Sequence, residues 1–190
     1  MAENQKIQQI DCTKVPEPTL RRLPWYLSNV KLLKQRGERF VSSTQISKEI
    51  NIDASQIAKD LSYVNISGRT RVGYEVDALI EVLEHFLGFT EIHKAFLFGV
   101  GSLGGALLQD SGLKHFGLEI VAAFDVDPTL VGTNLNGIPI YHSDDFLKKM
   151  EEYDVQIGVL TVPIEIAQCI TDMMVDGGIK AVWNFTPFRI

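Results

Sequence analysis

The sequence predicts an α/β chain in which a winged helix-turn-helix unit precedes a doubly wound parallel sheet. Three observations carry that expectation. A helix-capping pattern occurs twice, at Ser42 with Gln45 and at Asp53 with Gln56, on either side of the short turn Asn51-Ile52-Asp53. From Lys94 onward, short apolar runs alternate with amphipathic stretches, the signature of strand-helix units. At the first of those strand-to-helix joints the spacing G-x-G-x-x-G runs from Gly99 to Gly104.

The 190 residues are 45% hydrophobic, enough for two packed cores and too many for a disordered chain. A division into 1–88 and 89–190 follows the change of pattern. Charge divides the same way. Residues 1–88 carry 12 basic against 11 acidic side chains, whereas 89–190 carry 6 against 13. Within Thr19–Tyr74 there are 10 basic to 4 acidic, so a basic segment suited to a polyanion sits beside an acidic one. Two cysteines, Cys12 and Cys169, support neither a disulfide framework nor a four-ligand zinc site and read as ordinary thiols. With no apolar run of membrane length and no apolar stretch in MAENQKIQQIDCTK, a cytoplasmic protein is expected.

Taken in order, Thr19–Gly37 places Leu23, Leu27, Val30 and Leu33 at helical spacing and ends on a glycine, giving a first helix that bends or starts late at Pro24. Ser42-Ser43-Thr44-Gln45 opens a second helix with Ile46 and Ile50 inward, and Asp53 opens a third over Ala54–Val64. On the third, Ile57, Leu61 and Val64 form the core side. The opposite face carries Ser55, Gln56, Lys59, Ser62 and Tyr63, the hydrogen-bonding groups and cation that a major-groove recognition helix needs; an ordinary solvated face would look the same. Asn65–Val76 reads as a β-hairpin with Ser67-Gly68 at its tip and Arg69 and Arg71 on one strand face, a wing able to place arginines on phosphates or in the minor groove.

In the second half, Ala95–Phe98 is a buried strand and Ser102–Gln109 the helix after the glycine turn. Gly99, Val100, Gly101, Ser102, Leu103 and Gly104 would bring a pyrophosphate to the helix N-terminus, where free N–H groups favour an anion. A second strand, Ile120–Phe124, ends at Asp125, 21 residues after Gly104, where a carboxylate can accept from ribose hydroxyls and favours NAD(H) over its 2′-phosphorylated form. Val126 follows it. A strand near Ile138–Tyr141, a helix Ser143–Met150, a strand Val155–Leu160, a helix Ile164–Val175 and a strand Ala181–Phe185 complete a Rossmann-like sheet. Thr161-Val162-Pro163 and Asn184-Phe185-Thr186-Pro187 stand at strand ends and are candidates to wall in a nicotinamide. None of His85, His93, His115 and His142 is expected at a strand end beside an acid, so the proton-transfer residue of a dehydrogenase is not evident.

These residues resemble the Rex family over nearly the whole chain. Val41-Ser42-Ser43, Gln56-Ile57-Ala58-Lys59-Asp60-Leu61-Ser62-Tyr63 and Val72-Gly73-Tyr74 are similar to its winged-helix pattern. The glycine loop, Phe124-Asp125-Val126-Asp127-Pro128, Leu160-Thr161-Val162-Pro163, Ala167-Gln168 and Asn184-Phe185-Thr186-Pro187 are similar to its cofactor domain. The resemblance implies a non-enzymatic repressor, a homodimer that holds operator DNA when NADH is scarce relative to NAD+ and releases it when NADH binds and the two cofactor domains close. It implies a DNA site at Ser42, Ser43, Ser55, Gln56, Lys59, Tyr63, Arg69 and Arg71, a cofactor site built from the residues above, and no metal. Three departures stand out: Ala58 where the family usually has arginine, which implies a looser or different base readout, Asp110 where it often has an aromatic residue, and an end at Ile190 before the family's exchanged C-terminal helix. Three other readings compete. An NAD-dependent oxidoreductase lacks its acid or base. A CoA-binding module fits the glycine loop and the FDVDP segment, which also resemble the CoA-binding domain of acyl-CoA synthetase subunits, but leaves residues 19–76 without a role. A CoA- or NAD-binding sensor without sequence-specific DNA binding is kept open by Ala58.

Overall fold

The computed structural model describes residues 15–187, 189 and 190. The expectations for residues 1–14, Cys12 and the absence of a signal peptide among them, lie outside these. The chain divides into two compact units between Thr90 and Glu91. Among the described residues, no helix is long and apolar enough to cross a membrane.

The first unit opens on α1 (Glu17–Gln35), which begins at Pro16 and runs through Pro24 rather than starting there. Pro24 has no N–H to offer the preceding turn. The helix still forms because Leu23, Tyr26, Leu27, Val30 and Leu33 on one face are all buried. It stops where Gly37 adopts φ 86°, a left-handed conformation that glycine enters without a Cβ penalty. After β1 (Phe40–Val41) comes α2 (Ser43–Ile50), capped as expected by the Ser42 hydroxyl, which accepts from Gln45 N at 3.1 Å. Next, α3 (Ala54–Ser62) is capped by Asp53, which accepts from Ser55 N at 2.7 Å and Gln56 N at 3.3 Å. Ile57, Leu61 and Val64 face the core.

The wing differs from its expectation. Its turn is Thr70-Arg71-Val72, closed by an antiparallel bridge between Arg69 and Gly73, and Ser67-Gly68 is not the tip. Arg71 sits in the turn with φ 64°, so it does not share a strand face with Arg69. The strand that follows, β2 (Tyr74–Glu75), pairs with β1 instead of with the segment before the turn. Gly73 is the physical reason. A Cβ on it would lie 2.3 Å from Val41 O, so glycine lets the backbone press against β1 and carries Tyr74 into the core. A further helix beyond those the sequence predicts, α4 (Val76–Phe86), buries Val76, Leu79, Ile80 and Leu83 in the same core as α1.

Behind the α1–α3 contact lies Asp60, fully buried and saturated with donors. Arg22 meets it with Nε at 2.6 Å and Nη2 at 2.9 Å. Tyr26 Oη donates at 2.6 Å, Thr19 Oγ1 at 2.9 Å and Gln56 Nε2 at 2.8 Å. Burial alone would raise the Asp60 pKa, but the hydrogen bonds from Arg22, Tyr26, Gln56 and Thr19 outweigh it and hold the carboxyl below the usual range. The Tyr26 phenol is pushed up, by burial first and by its bond to Asp60 second.

The second unit is an α/β sheet of strand order β5-β6-β4-β3-β7-β8. Its elements are β3 (His93–Phe98), α5 (Ser102–Gln109), β4 (Leu118–Asp125), β5 (Asn134–Leu135), β6 (Ile138–His142), α6 (Phe146–Glu152), β7 (Ile157–Leu160), α7 (Ile164–Asp176) and β8 (Ala181–Asn184). All pairings are parallel except β5 with β6, an edge hairpin that was not expected. The expected helix Ser143–Met150 opens as a 3₁₀ turn, Ser143–Asp145, before α6. Alternation along β3 sends Ala95 and Leu97 to one face and Phe96 and Phe98 to the other. On the aromatic face Phe98 stacks on Phe124 at 5.0 Å, and Phe146 meets Phe98 edge-on at 5.3 Å. The chain enters the sheet at β3, adds β4 and β6 to one side, then β7 and β8 to the other. That reversal opens a crevice beyond the carboxyl ends of β3 and β7.

Asp60 generates a stability prediction. Arg22→Ala removes the charged partner of a buried carboxylate and should cost about 3 kcal/mol, as for other broken buried pairs. Because the folded pKa of Asp60 lies below its unfolded value, its contribution is complete above about pH 4 and is lost as the pH falls through the folded value. Urea unfolding at a series of pH values checks both, and Asp60→Asn should flatten the acid limb.

Candidate functional sites

A cleft of about 460 Å³ opens over the carboxyl ends of β3, β4 and β7. Of the residues expected to hold a cofactor, Gly99, Gly101, Asp125, Val126, Thr161, Val162 and Pro163 line it. The three loop glycines differ in what they do. Gly99 has φ 91°, and a Cβ there would lie 2.9 Å from Thr161 O. On Gly104 a Cβ would lie 2.0 Å from Gly99 O, so its absence lets α5 close onto the end of β3. Gly101 has φ −68°, and its Cβ would meet nothing within 4 Å. The fold does not need glycine at 101; the space beside it is left open.

Thr161 ties the floor together. Its N–H donates to Phe98 O at 2.9 Å, and its hydroxyl lies 2.7 Å from Gly99 O and 2.9 Å from Phe98 O. Asp125 joins the loop to β4: Oδ2 accepts from Val100 N at 2.6 Å, and Oδ1 from Val126 N at 2.7 Å and Asp127 N at 2.9 Å. Each carboxylate oxygen accepts about two hydrogen bonds, so Oδ2 keeps an acceptor site for a ligand hydroxyl.

Other expected residues lie elsewhere. Val100 points into the core, Ser102 and Leu103 are exposed on the first turn of α5, and Gly104 is buried beneath the loop. Asn184 pairs with Leu160 across β7–β8, and its Oδ1 accepts from Thr186 N at 2.8 Å. Asn184-Phe185-Thr186-Pro187 is not among the cleft's lining residues. Sequence reasoning missed Phe98, Phe124, Asp127, Leu130, Ser143, Ile166 and Ile170, which do line it. Their signal was position, at strand ends and on the first turns of α7. His142 is a correction. It ends β6 opposite Asp125, and its Nδ1 lies 3.3 Å from Asp144 Oδ2, so one histidine does stand at a strand end beside an acid.

In the first unit, Lys59 and Ser55 are exposed on the outer side of α3, while Gln56 and Tyr63 are half-buried. The Ser55 hydroxyl donates to Asp53 Oδ1. Gln56 is not a free side chain, since its amide nitrogen is bonded to Asp60. Ala58 is half-buried and presents a methyl group. Ser42 is committed to its cap, and Ser43 begins α2 beside it. Arg69 and Arg71 are exposed in the wing.

Known proteins give the same division. Residues 14–62 match the family described as "Putative DNA-binding protein N-terminus", and residues 90–188 match "CoA binding domain". The redox-sensing transcriptional repressor Rex of Bacteroides fragilis is 87% identical over 190 residues, all of this chain and 86% of that protein. The Rex of Porphyromonas gingivalis is 63% identical over 178 residues, 94% of this chain and 82% of that protein. Among solved structures, RSP in complex with β-NAD+ and operator DNA superposes with a TM-score of 0.88 at 29% identity, covering 93% of this chain and 81% of that one. RSP in complex with β-NADH gives 0.85 at the same identity, covering 93% and 83%.

Fold and cleft thus define a class: a helix-turn-helix unit followed by a Rossmann-like unit with a cleft at its strand ends. Within that class, the chain belongs to the Rex family of redox-sensing transcriptional repressors.

The glycine geometry predicts opposite outcomes at two positions. Gly104→Ala should destabilise the second unit by about 2 kcal/mol or more, as overpacking against backbone does. Gly101→Ala should change stability by about 0.5 kcal/mol or less, because its methyl enters open space. Thermal or urea unfolding of the two variants checks the contrast.

Proposed function

We propose that this protein is a redox-sensing repressor: as a homodimer it holds operator DNA when NADH is scarce, and NADH binding releases it. The observation that carries this reading is the whole-length likeness to RSP, a Rex-family repressor solved both with β-NAD+ and operator DNA and with β-NADH. Residues 1–88 are the DNA-binding domain and 89–190 the NAD(H)-binding domain. A helix-turn-helix reads paired half-sites as a dimer, which favours two copies. A repressor works beside the chromosome, hence in the cytoplasm.

In the cofactor domain the pyrophosphate lies against Gly99, Gly101 and the first N–H groups of α5, at Ser102 and Leu103. Val100 and Gly104 act from below, one by its amide to Asp125 and the other by close packing. The Asp125 carboxylate accepts from the adenosine ribose with Val126 beside it, and Thr161-Val162-Pro163 lies toward the nicotinamide, with Asn184 behind on β8. On the DNA side, the hydroxyls of Ser42 and Ser43 and the N–H groups at the helix N-termini, where Ser55 stands on α3, approach phosphates. Lys59, Gln56 and Tyr63 face the groove, and Arg69 and Arg71 reach the backbone from the wing. Ala58 supplies no hydrogen bond, so readout at that point is apolar.

The protein is not an enzyme in this reading. His142, with its acid neighbour, stands beside Asp125 on the β4–β6 side of the sheet, at the adenosine end and away from the β3–β7 crevice where a hydride would move. NADH acts by linkage: it loosens DNA binding only by the difference in its affinity for the two dimer states. The CoA-binding alternative shares the cleft type but gives the helix-turn-helix nothing to do.

Two measurements test the proposal. Calorimetric titration should show NADH binding at least tenfold more tightly than NADPH, whose 2′-phosphate would face Asp125, about 1.4 kcal/mol or more. Gly101→Val should fold normally and lose NADH binding; equal affinities for the two cofactors would remove the role of Asp125. For DNA, Arg69→Ala with Arg71→Ala should reduce the slope of log affinity against log salt by about 0.9 per lost phosphate contact and per subunit. An unchanged slope would place the phosphate contacts elsewhere.

A further inference from the structure

The Asp60 cluster reaches from the core to the outer face of α3, and that connection has a chemical consequence. Asp60 is wholly buried, so it cannot touch DNA itself. Four of its five hydrogen bonds come from α1, two from Arg22 and one each from Thr19 and Tyr26. The fifth comes from Gln56, one helical turn back on α3 and half-exposed, at 2.8 Å. An ionised carboxylate only accepts hydrogen bonds. The amide of Gln56 therefore turns its nitrogen inward, because the flipped amide would set Oε1 against Asp60 Oδ1. An unconstrained glutamine can present either end of its amide to a base edge; this one keeps its carbonyl oxygen outward.

We infer that Asp60 is a positioning residue for base readout, fixing Gln56 as an acceptor that selects a base with an exocyclic amino group in the major groove. Adenine N6 and cytosine N4 supply that donor, whereas guanine O6/N7 and thymine O4 present acceptors. The inference rests on the DNA-reading role of α3 proposed above. It assigns the preference at one base position to a residue that never contacts DNA.

The test uses the full chain and duplexes selected by it from a randomised pool, with affinities compared at fixed salt for the four bases at each position. The native protein should prefer A or C over G or T at one position of each half-site, by about tenfold. Asp60→Asn keeps the shape but can donate or accept, which frees the Gln56 amide to flip. It should erase the preference at that position while leaving the salt slope, NADH affinity and preferences elsewhere unchanged. Gln56→Leu should erase the same preference, and adding it to Asp60→Asn should cause no further loss. Should Asp60→Asn fail to fold, Gln56→Leu decides alone, since it leaves the four α1 hydrogen bonds on Asp60. A preference retained in Gln56→Leu, or an Asp60→Asn protein that weakens selected and random duplex alike, overturns the inference. A native protein that selects no sequence at all overturns the DNA-reading proposal and this inference with it.

Discussion

A carboxylate cut off from water must draw all its hydrogen bonds from the protein, and Asp60 draws them from two helices at once. That requirement decides how the first unit is assembled. Thr19, Arg22 and Tyr26 lie on one side of α1 at helical spacing, so the helix can satisfy Asp60 in only one rotational setting. Leu23, Leu27 and Val30 share one buried core with Ile57 and Leu61. Hydrophobic burial alone would tolerate some sliding of α3 on α1, whereas a buried charge with five fixed donors does not. Polar specificity and apolar driving force therefore act on the same contact.

The second unit is governed by a backbone constraint. α5 comes so close to the end of β3 that Gly104 and Gly99 have no room for side chains, and Thr161 clamps the same loop from β7. The loop is thus held from three directions, with Asp125 from β4 the third. Within this frame Gly101 alone of the three loop glycines has open space where a Cβ would stand.

Elements with a local signature were legible in the sequence. Ser42 and Asp53 announce their helices because capping is a contact over two or three residues, and the glycine loop announces itself because its conformational demands fall within six positions. Contacts between distant residues left no such trace. Asp60 sits in an apparently polar helix, and nothing near it in sequence says that Arg22, 38 residues earlier, will neutralise it. The wing turn was misplaced because Ser67-Gly68 has the better turn composition, while the register is set by the fit of Gly73 against β1. VDALIEVLEHF has helical spacing but adjoins the hairpin residues, and its packing beside α1 in the core fixes it as α4. At the cleft, the glycine motif is legible but which of its residues line the open space is not, since Val100 and Gly104 turn inward only once the strand order is known. His142 meets Asp125 only through the β4–β6 pairing, which sequence spacing does not reveal.

Among the described non-glycine residues, positive φ occurs at Asn51, Asn65, Asn136 and Arg71. Asparagine enters that conformation with little penalty; a long side chain gives up of the order of 1 kcal/mol. A chain shaped for rigidity alone would carry asparagine or glycine at the tip of the wing too. Here a long cation occupies that position, so the wing carries its charge at a cost in backbone conformational energy.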